Sequence, residues 1–224
     1  MHHLIYADDL VLLAPSAKGL NSLLKVTDSF AQRYQIVFST AKSVCMAIPP
    51  VGVAHEFLPN IYMAGSQLQY VSSFKYLGHF ITVDLKDEMD IAREVRSLYS
   101  RGNILIRKFG NLTLDVKCSL FKTYCYPLYA SPLWCRFTAA KLYRLKVAYN
   151  NTMRRSVYVP PWESARTMFV THGVKSFEEN LRTLAYGLLS RIDASNNTIL
   201  VTLNNSDAAV TSFQRTKWND SLYV

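Results

Sequence analysis

His3-Leu-Ile-Tyr-Ala-Asp-Asp-Leu-Val-Leu-Leu-Ala14 is the stretch from which the rest of the chain is read. Two short apolar runs flank the polar pair Asp8-Asp9, which follows the small residue Ala7. That punctuation predicts a β-hairpin. Adjacent carboxylates repel unless a cation or a hydrogen-bond donor stands between them. Between two apolar strands they are a rigid mount for a divalent cation. Oxygen donors of this kind suit Mg²⁺, which keeps several waters and shares substrate phosphates. An ordinary solvated Asp-Asp turn is the alternative that the dipeptide alone leaves open.

Outward from the hairpin, Pro15-Ser16 ends the second strand and Ser16 caps a helix. Leu20, Leu23, Leu24, Phe30 and Tyr34 follow near a 3.6-residue period. Ile36 to Phe38 and Val44 to Ile48 are strand candidates around the polar link Ser39-Thr-Ala-Lys-Ser43. Pro49-Pro50 and Gly52 mark a loop. Ile61 to Met63 and Gln67 to Val71, joined through Ala64-Gly65-Ser66, predict a second hairpin, and Phe74 to Ile81 continues the strand-rich part.

The character then changes. Asp84, Asp87, Glu88 and Asp90 stand at a helix start, where the macrodipole favours acids. Ile91, Val95, Leu98 and Leu105 share one face, Gly102 weakens that helix, and Gly110 stops it. Leu114, Cys118, Phe121 and Cys125 form the next stripe, ended by Pro127; Leu142, Leu145 and Tyr149 form a third. Ser176-Phe-Glu-Glu179 is a capping box opening a helix with Leu181, Leu184, Leu188 and Ile192 inward. The expected class is α+β: a partial antiparallel sheet with a helix over residues 1–83, then a mostly helical remainder. That remainder divides into a basic part, 84–160, and a C-terminal part, 161–224. Residues 196–224 have mixed composition and no assigned role.

A chain of 224 residues, half of them hydrophobic and 12% aromatic, has the material for a real core and is no disordered tail. The longest apolar run near the start, Leu10 to Ala14, is far short of a membrane span, and no secretory leader is expected. The formal charge is +9. Residues 101–155 hold 11 basic residues and 1 acidic, so the whole excess lies there. Tyr99, Tyr124, Tyr126, Tyr129, Trp134, Tyr143 and Tyr149 lie in or beside that stretch. Cations suit phosphates and aromatic faces suit bases. A helical face that is merely basic is the open alternative. Cys45, Cys118, Cys125 and Cys135 make no metal-binding spacing and read as reduced thiols, buried for the most part.

Tyr6-Ala7-Asp8-Asp9, set between apolar strands, resembles the catalytic hairpin of reverse transcriptases. Similar segments follow in family order. Tyr34 to Ser43 resembles the motif that carries a lysine, here Lys42. Phe74-Lys75-Tyr76-Leu77-Gly78 resembles the primer-gripping motif of the non-LTR, LINE-type retrotransposon branch. Phe121 to Trp134, with Pro127 and Tyr129, is similar to the thumb and connector of that branch. The resemblance is strong over residues 3–83 and weaker, but in order, to about residue 192.

The resemblance implies RNA-templated DNA synthesis, with an RNA template, a DNA primer and deoxynucleoside triphosphates as partners. Asp8 and Asp9 would bind Mg²⁺ beside the primer terminus, in a two-ion mechanism. Lys42 would protonate the departing pyrophosphate. Phe74, Lys75, Tyr76, Leu77 and Gly78 would hold the primer, Gly78 allowing close approach. Arg101, Lys108, Arg144, Lys146, Arg154 and Arg155 are the expected phosphate contacts. An intracellular ribonucleoprotein, nuclear or cytoplasmic, is the implied setting.

Family members place fingers and the first half of the palm, with a further metal-binding carboxylate, before this hairpin, whereas Tyr6 stands near the start here. The chain is therefore expected to be a C-terminal fragment and inactive alone. Two alternatives stand beside that reading: a nucleic-acid-binding module without chemistry, and a decayed retroelement open reading frame.

Overall fold

A computed structural model describes residues 3–50 and 58–206. They fall into two units: residues up to 75 with 82–84, and residues 76–81 with 85 onward.

In the first unit, β1 (His3–Tyr6) and β2 (Asp9–Leu12) pair antiparallel, in register from His3↔Leu12 to Tyr6↔Asp9. Ser16 ends the strand and caps α1 (Ala17–Tyr34): its extended backbone lets the hydroxyl accept the Gly19 N–H at 3.2 Å. Next come β3 (Val44–Cys45), β4 (Tyr62–Met63), β5 (Ser66–Gln67) and β6 (Gln69–Tyr70). The pair β4–β5 is the expected hairpin, while β3 and β6 run parallel. Asp28 of α1 accepts the Ala64 N–H at 3.1 Å and fastens the β4–β5 turn to the helix. The strands thus pair two by two, where a partial sheet is expected; β3 to β6, at two residues each, are too short to extend a ladder. Leu24 of α1 buries against Cys45, Ile61, Met63 and Leu68. Ile36 to Phe38 is not a strand, and Val37 stands almost wholly in solvent.

Two expected core residues of α1 also face outward. Phe30 and Tyr34 are about half-exposed and pack on each other, ring centroids 4.5 Å apart. The inward side carries Leu20, Leu24 and Ala31, and at 3.6 residues per turn Phe30 lies about 100° and Tyr34 about 60° round from it.

The hairpin of β7 (Ser73–Tyr76) and β8 (His79–Thr82) spans the boundary, its tip belonging to the second unit. Among its described residues the other long elements of the second unit are helices: α2 (Glu88–Phe109), α3 (Leu114–Cys125), α4 (Ala139–Val157), α5 (Ala165–Thr171), α6 (Phe177–Asp193) and α7 (Thr198–Asn204). Ile91, Leu98 and Leu105 of α2, Phe121 and Cys125 of α3, and Leu145, Tyr149 and Met153 of α4 make one core. Gly102 does not merely weaken α2: it is buried where α4 passes, with Thr152 against its Cα. The capping box of α6 is complete, Ser176 Oγ accepting the Glu179 N–H and Glu179 Oε2 accepting the Ser176 N–H at 2.7 Å. Its deepest residues are Phe177, Asn180 and Ala185, while Leu181, Leu184, Leu188 and Ile192 are only half-buried. Cys45, Cys118 and Cys125 are buried free thiols, with burial pushing Cys125 up to about 12. Among the described residues no helix is long and apolar enough to cross a membrane.

Candidate metal-binding hairpin and nucleic-acid interface

The β1–β2 turn is two residues, Ala7 and Asp8, and Ala7 takes the left-handed backbone (φ 51°) that lets so short a link reverse the chain. Asp9 is the first residue of β2 and the register partner of Tyr6. Both carboxylates are exposed, and among the described residues neither joins an ion pair. Two adjacent free carboxylates fit one Mg²⁺ that keeps most of its water. Among the described residues no group of three His, Cys, Asp or Glu forms a fuller donor set. Ile5 and Tyr6 on the same hairpin are also largely exposed.

Lys42 lies in the same unit, in a turn where its N–H donates to Ser39 O at 3.0 Å. Its side chain is exposed, and among the described residues no hydrogen bond or ion pair joins it to Asp8 or Asp9.

Phe74, Lys75 and Tyr76 lie on β7, with Lys75 the most exposed of the three. Leu77 and Gly78 form the turn, both left-handed (φ 46° and 85°), the type I′ pattern of a two-residue hairpin link. The Tyr129 hydroxyl donates to Leu77 O. Its ring lies 3.1 Å from where a Cβ on residue 78 would stand. Glycine therefore suits position 78 twice, by its backbone angle and by the ring close beside it.

What fixes this turn is a cluster of buried charges whose members look, in the sequence, like helix-start acids. Asp90 is fully buried and lies 2.9 Å from His79 Nδ1. It accepts hydrogen bonds from the Phe80 N–H (3.1 Å), Arg93 Nε (2.6 Å) and Trp134 Nε1 (2.8 Å). Burial alone would raise this carboxyl; the bonds from His79, Arg93, Trp134 and Phe80 outweigh it and hold the group well below the usual carboxylate range. Glu94, also fully buried, lies between Arg93 and Arg101. Burial pushes its carboxyl up against the pull of both guanidinium groups. Arg93 also donates to Tyr129 O at 3.1 Å. Asp87 caps nothing on α2 with its side chain; it is buried and accepts the N–H groups of Cys135 (2.7 Å) and Arg136 (2.6 Å). One signal for the cluster was in the sequence: Glu94 and Arg101, seven apart, fall on the face that carries Leu98 and Leu105.

Three of the six expected phosphate contacts are engaged inside the second unit. Arg101 holds Glu94 and donates to Pro127 O at 2.9 Å. Arg154 donates to Pro160 O (2.8 Å) and Glu163 O (2.6 Å). Lys146 pairs with Glu178 at 2.5 Å. The other three, Lys108, Arg144 and Arg155, are exposed. Arg144 and Arg155 share a stripe of α4 with exposed Asn151, and neither has an acidic partner among the described residues. The aromatic residues divide likewise. Tyr124, Tyr129 and Tyr143 are exposed, whereas Trp134 and Tyr149 are buried and closed to any base. Tyr149 packs on Phe121, Phe169 and Phe177 and donates its hydroxyl to Lys175 O.

No family model, no curated protein and no solved structure matches the chain in comparison.

Proposed function

We propose that the chain is the end of the palm, the thumb and a connector of a LINE-type, non-LTR retrotransposon reverse transcriptase, an RNA-directed DNA polymerase. The observation that carries this reading is the exposed Asp8-Asp9 pair at a two-residue hairpin turn, where neither carboxylate joins an ion pair among the described residues. Asp8 and Asp9 would hold Mg²⁺, which when bound supplies charge neutralisation at a triphosphate. Lys42, exposed on its turn, would serve as proton donor. The Leu77-Gly78 turn would lie against the primer backbone, its shape set by Tyr129. Arg144 and Arg155 would take phosphates of the duplex.

The described residues alone bring too little charge for catalysis. Two ions carry +4 against −2 from Asp8 and Asp9, and Mg²⁺ gives up water reluctantly. The 224-residue chain on its own is expected to give no Mg²⁺-dependent primer extension on an RNA template. Robust extension that disappears in Asp8→Ala would overturn that expectation.

The exposed cationic stripe of α4 also favours a grip on nucleic acid without chemistry, and binding tests it directly. Affinity for an RNA–DNA hybrid should fall steeply with salt. Arg144→Gln combined with Arg155→Gln should lower the slope of log K against log salt by about two, one for each phosphate no longer neutralised. An unchanged slope and affinity would remove the interface.

A further inference from the structure

We infer that Trp162 is a stacking platform for an unpaired nucleobase of a bound single strand. The inference rests on the nucleic-acid-binding reading above and adds to it a residue that recognises bases.

Trp162 sits in the link between α4 and α5, at the corner of a β-turn closed by the Glu163 N–H donating to Pro160 O at 3.2 Å. Pro161 precedes it at the position where proline pre-sets the turn. Arg154 of α4 fastens the same turn, with Nη1 on Pro160 O and Nη2 on Glu163 O. The turn is thus pinned on both sides of the indole. Trp162 is 86% exposed, more than any other aromatic residue among the described residues. Trp134 is its opposite, 4% exposed with its ring nitrogen bonded to Asp90.

A large ring carried into water on a fixed backbone turn is a contact for which little of the main chain must be ordered. The chemistry around it selects the partner. Arg155 in the last turn of α4 and Arg166 in the first turn of α5 stand on either side in sequence, both exposed, with Glu163 the only acid between them. An exposed ring between two cations in the sequence fits a flat, electron-rich face whose strand carries phosphates. Base-on-aromatic stacking of this kind tolerates any sequence.

The test uses the full chain, a short oligo(dT) single strand and a blunt RNA–DNA hybrid. Trp162→Ala should weaken oligo(dT) binding roughly tenfold or more. The salt slope and the hybrid affinity should stay as in the parent chain. Trp162→Tyr should restore most of the lost affinity. Tryptophan emission should be quenched on titration with oligo(dT) in the parent and not in Trp162→Tyr, which keeps the other two tryptophans. Parent-like oligo(dT) binding by Trp162→Ala, with salt-dependent hybrid binding intact, would overturn the stacking role alone. Failure of both probes to bind the parent chain would overturn this inference together with the reading it rests on.

Discussion

Asp90→Ala is expected to destabilise the helical unit strongly relative to the parent chain. Breaking a buried ion pair by deleting one partner costs about 3–5 kcal/mol, because the other charge stays buried without compensation. Here the deletion leaves Arg93 with only Glu94 and the Tyr129 carbonyl as partners, and removes the acceptor for the Trp134 ring N–H and the Phe80 N–H. A domain is typically stable by only about 5–15 kcal/mol, so much of that margin goes. Urea unfolding followed by helical circular dichroism reads the loss directly, and a change within experimental error would show that the cluster is dispensable.

The same residue gives the unit an acid limb. The Asp90 carboxyl is depressed in the folded state, whereas an unfolded Asp titrates near about 3.9. Below that value the unfolded chain binds the proton more readily, so stability must fall as pH falls. The contribution is complete above about pH 5 and is lost progressively toward lower pH. Asp90→Asn, which keeps the shape and one acceptor, should be less stable at neutral pH and should show a shallower acid limb. An identical limb in the variant would assign acid unfolding to other groups.

Gly102→Ala is the second large effect, and its sign runs against local propensity. In an open helix this change gains about 1 kcal/mol. At this position the new Cβ would meet Thr152 Cγ2 at 2.4 Å, inside any real contact distance. Overpacking of this kind costs typically about 1–3 kcal/mol, so a net loss is expected. Thr152 has a buried hydroxyl without a hydrogen-bond partner, so trimming it forfeits no bond. The double change Gly102→Ala with Thr152→Ala should therefore recover most of the loss. A thermodynamic cycle over the four chains measures that coupling. Additive effects would place the strain elsewhere.

The elements readable in advance are those whose causes are local. The β1–β2 hairpin follows from apolar runs around Ala7-Asp8-Asp9, the start of α1 from Ser16, and the start of α6 from Ser176 and Glu179. For the same reason the acidic pair was legible as a candidate site. Asp90 was not, because an acid in a first helical turn looks the same whether it faces water or a core. Its burial depends on His79, 11 positions away, and on Trp134, 44 away. Nor does charge counting separate Arg155, which is exposed, from Arg154, which is held by two carbonyls of the following link. Periodicity marks α1 as amphipathic, yet Phe30 and Tyr34 satisfy each other on its outer side. The short helix α5 carries neither a cap bond nor a long stripe to announce it.

The convergence on Asp90 also bears on how the polypeptide is made. Synthesis runs from amino to carboxyl end, so this carboxylate leaves the ribosome well before the indole that completes its shell. His79 and Phe80 have already emerged by then, and Arg93 comes three residues later on the same helical turn. The nascent α2 can thus shelter its own acid while it waits, and the arrival of Trp134 then locks the helix in place.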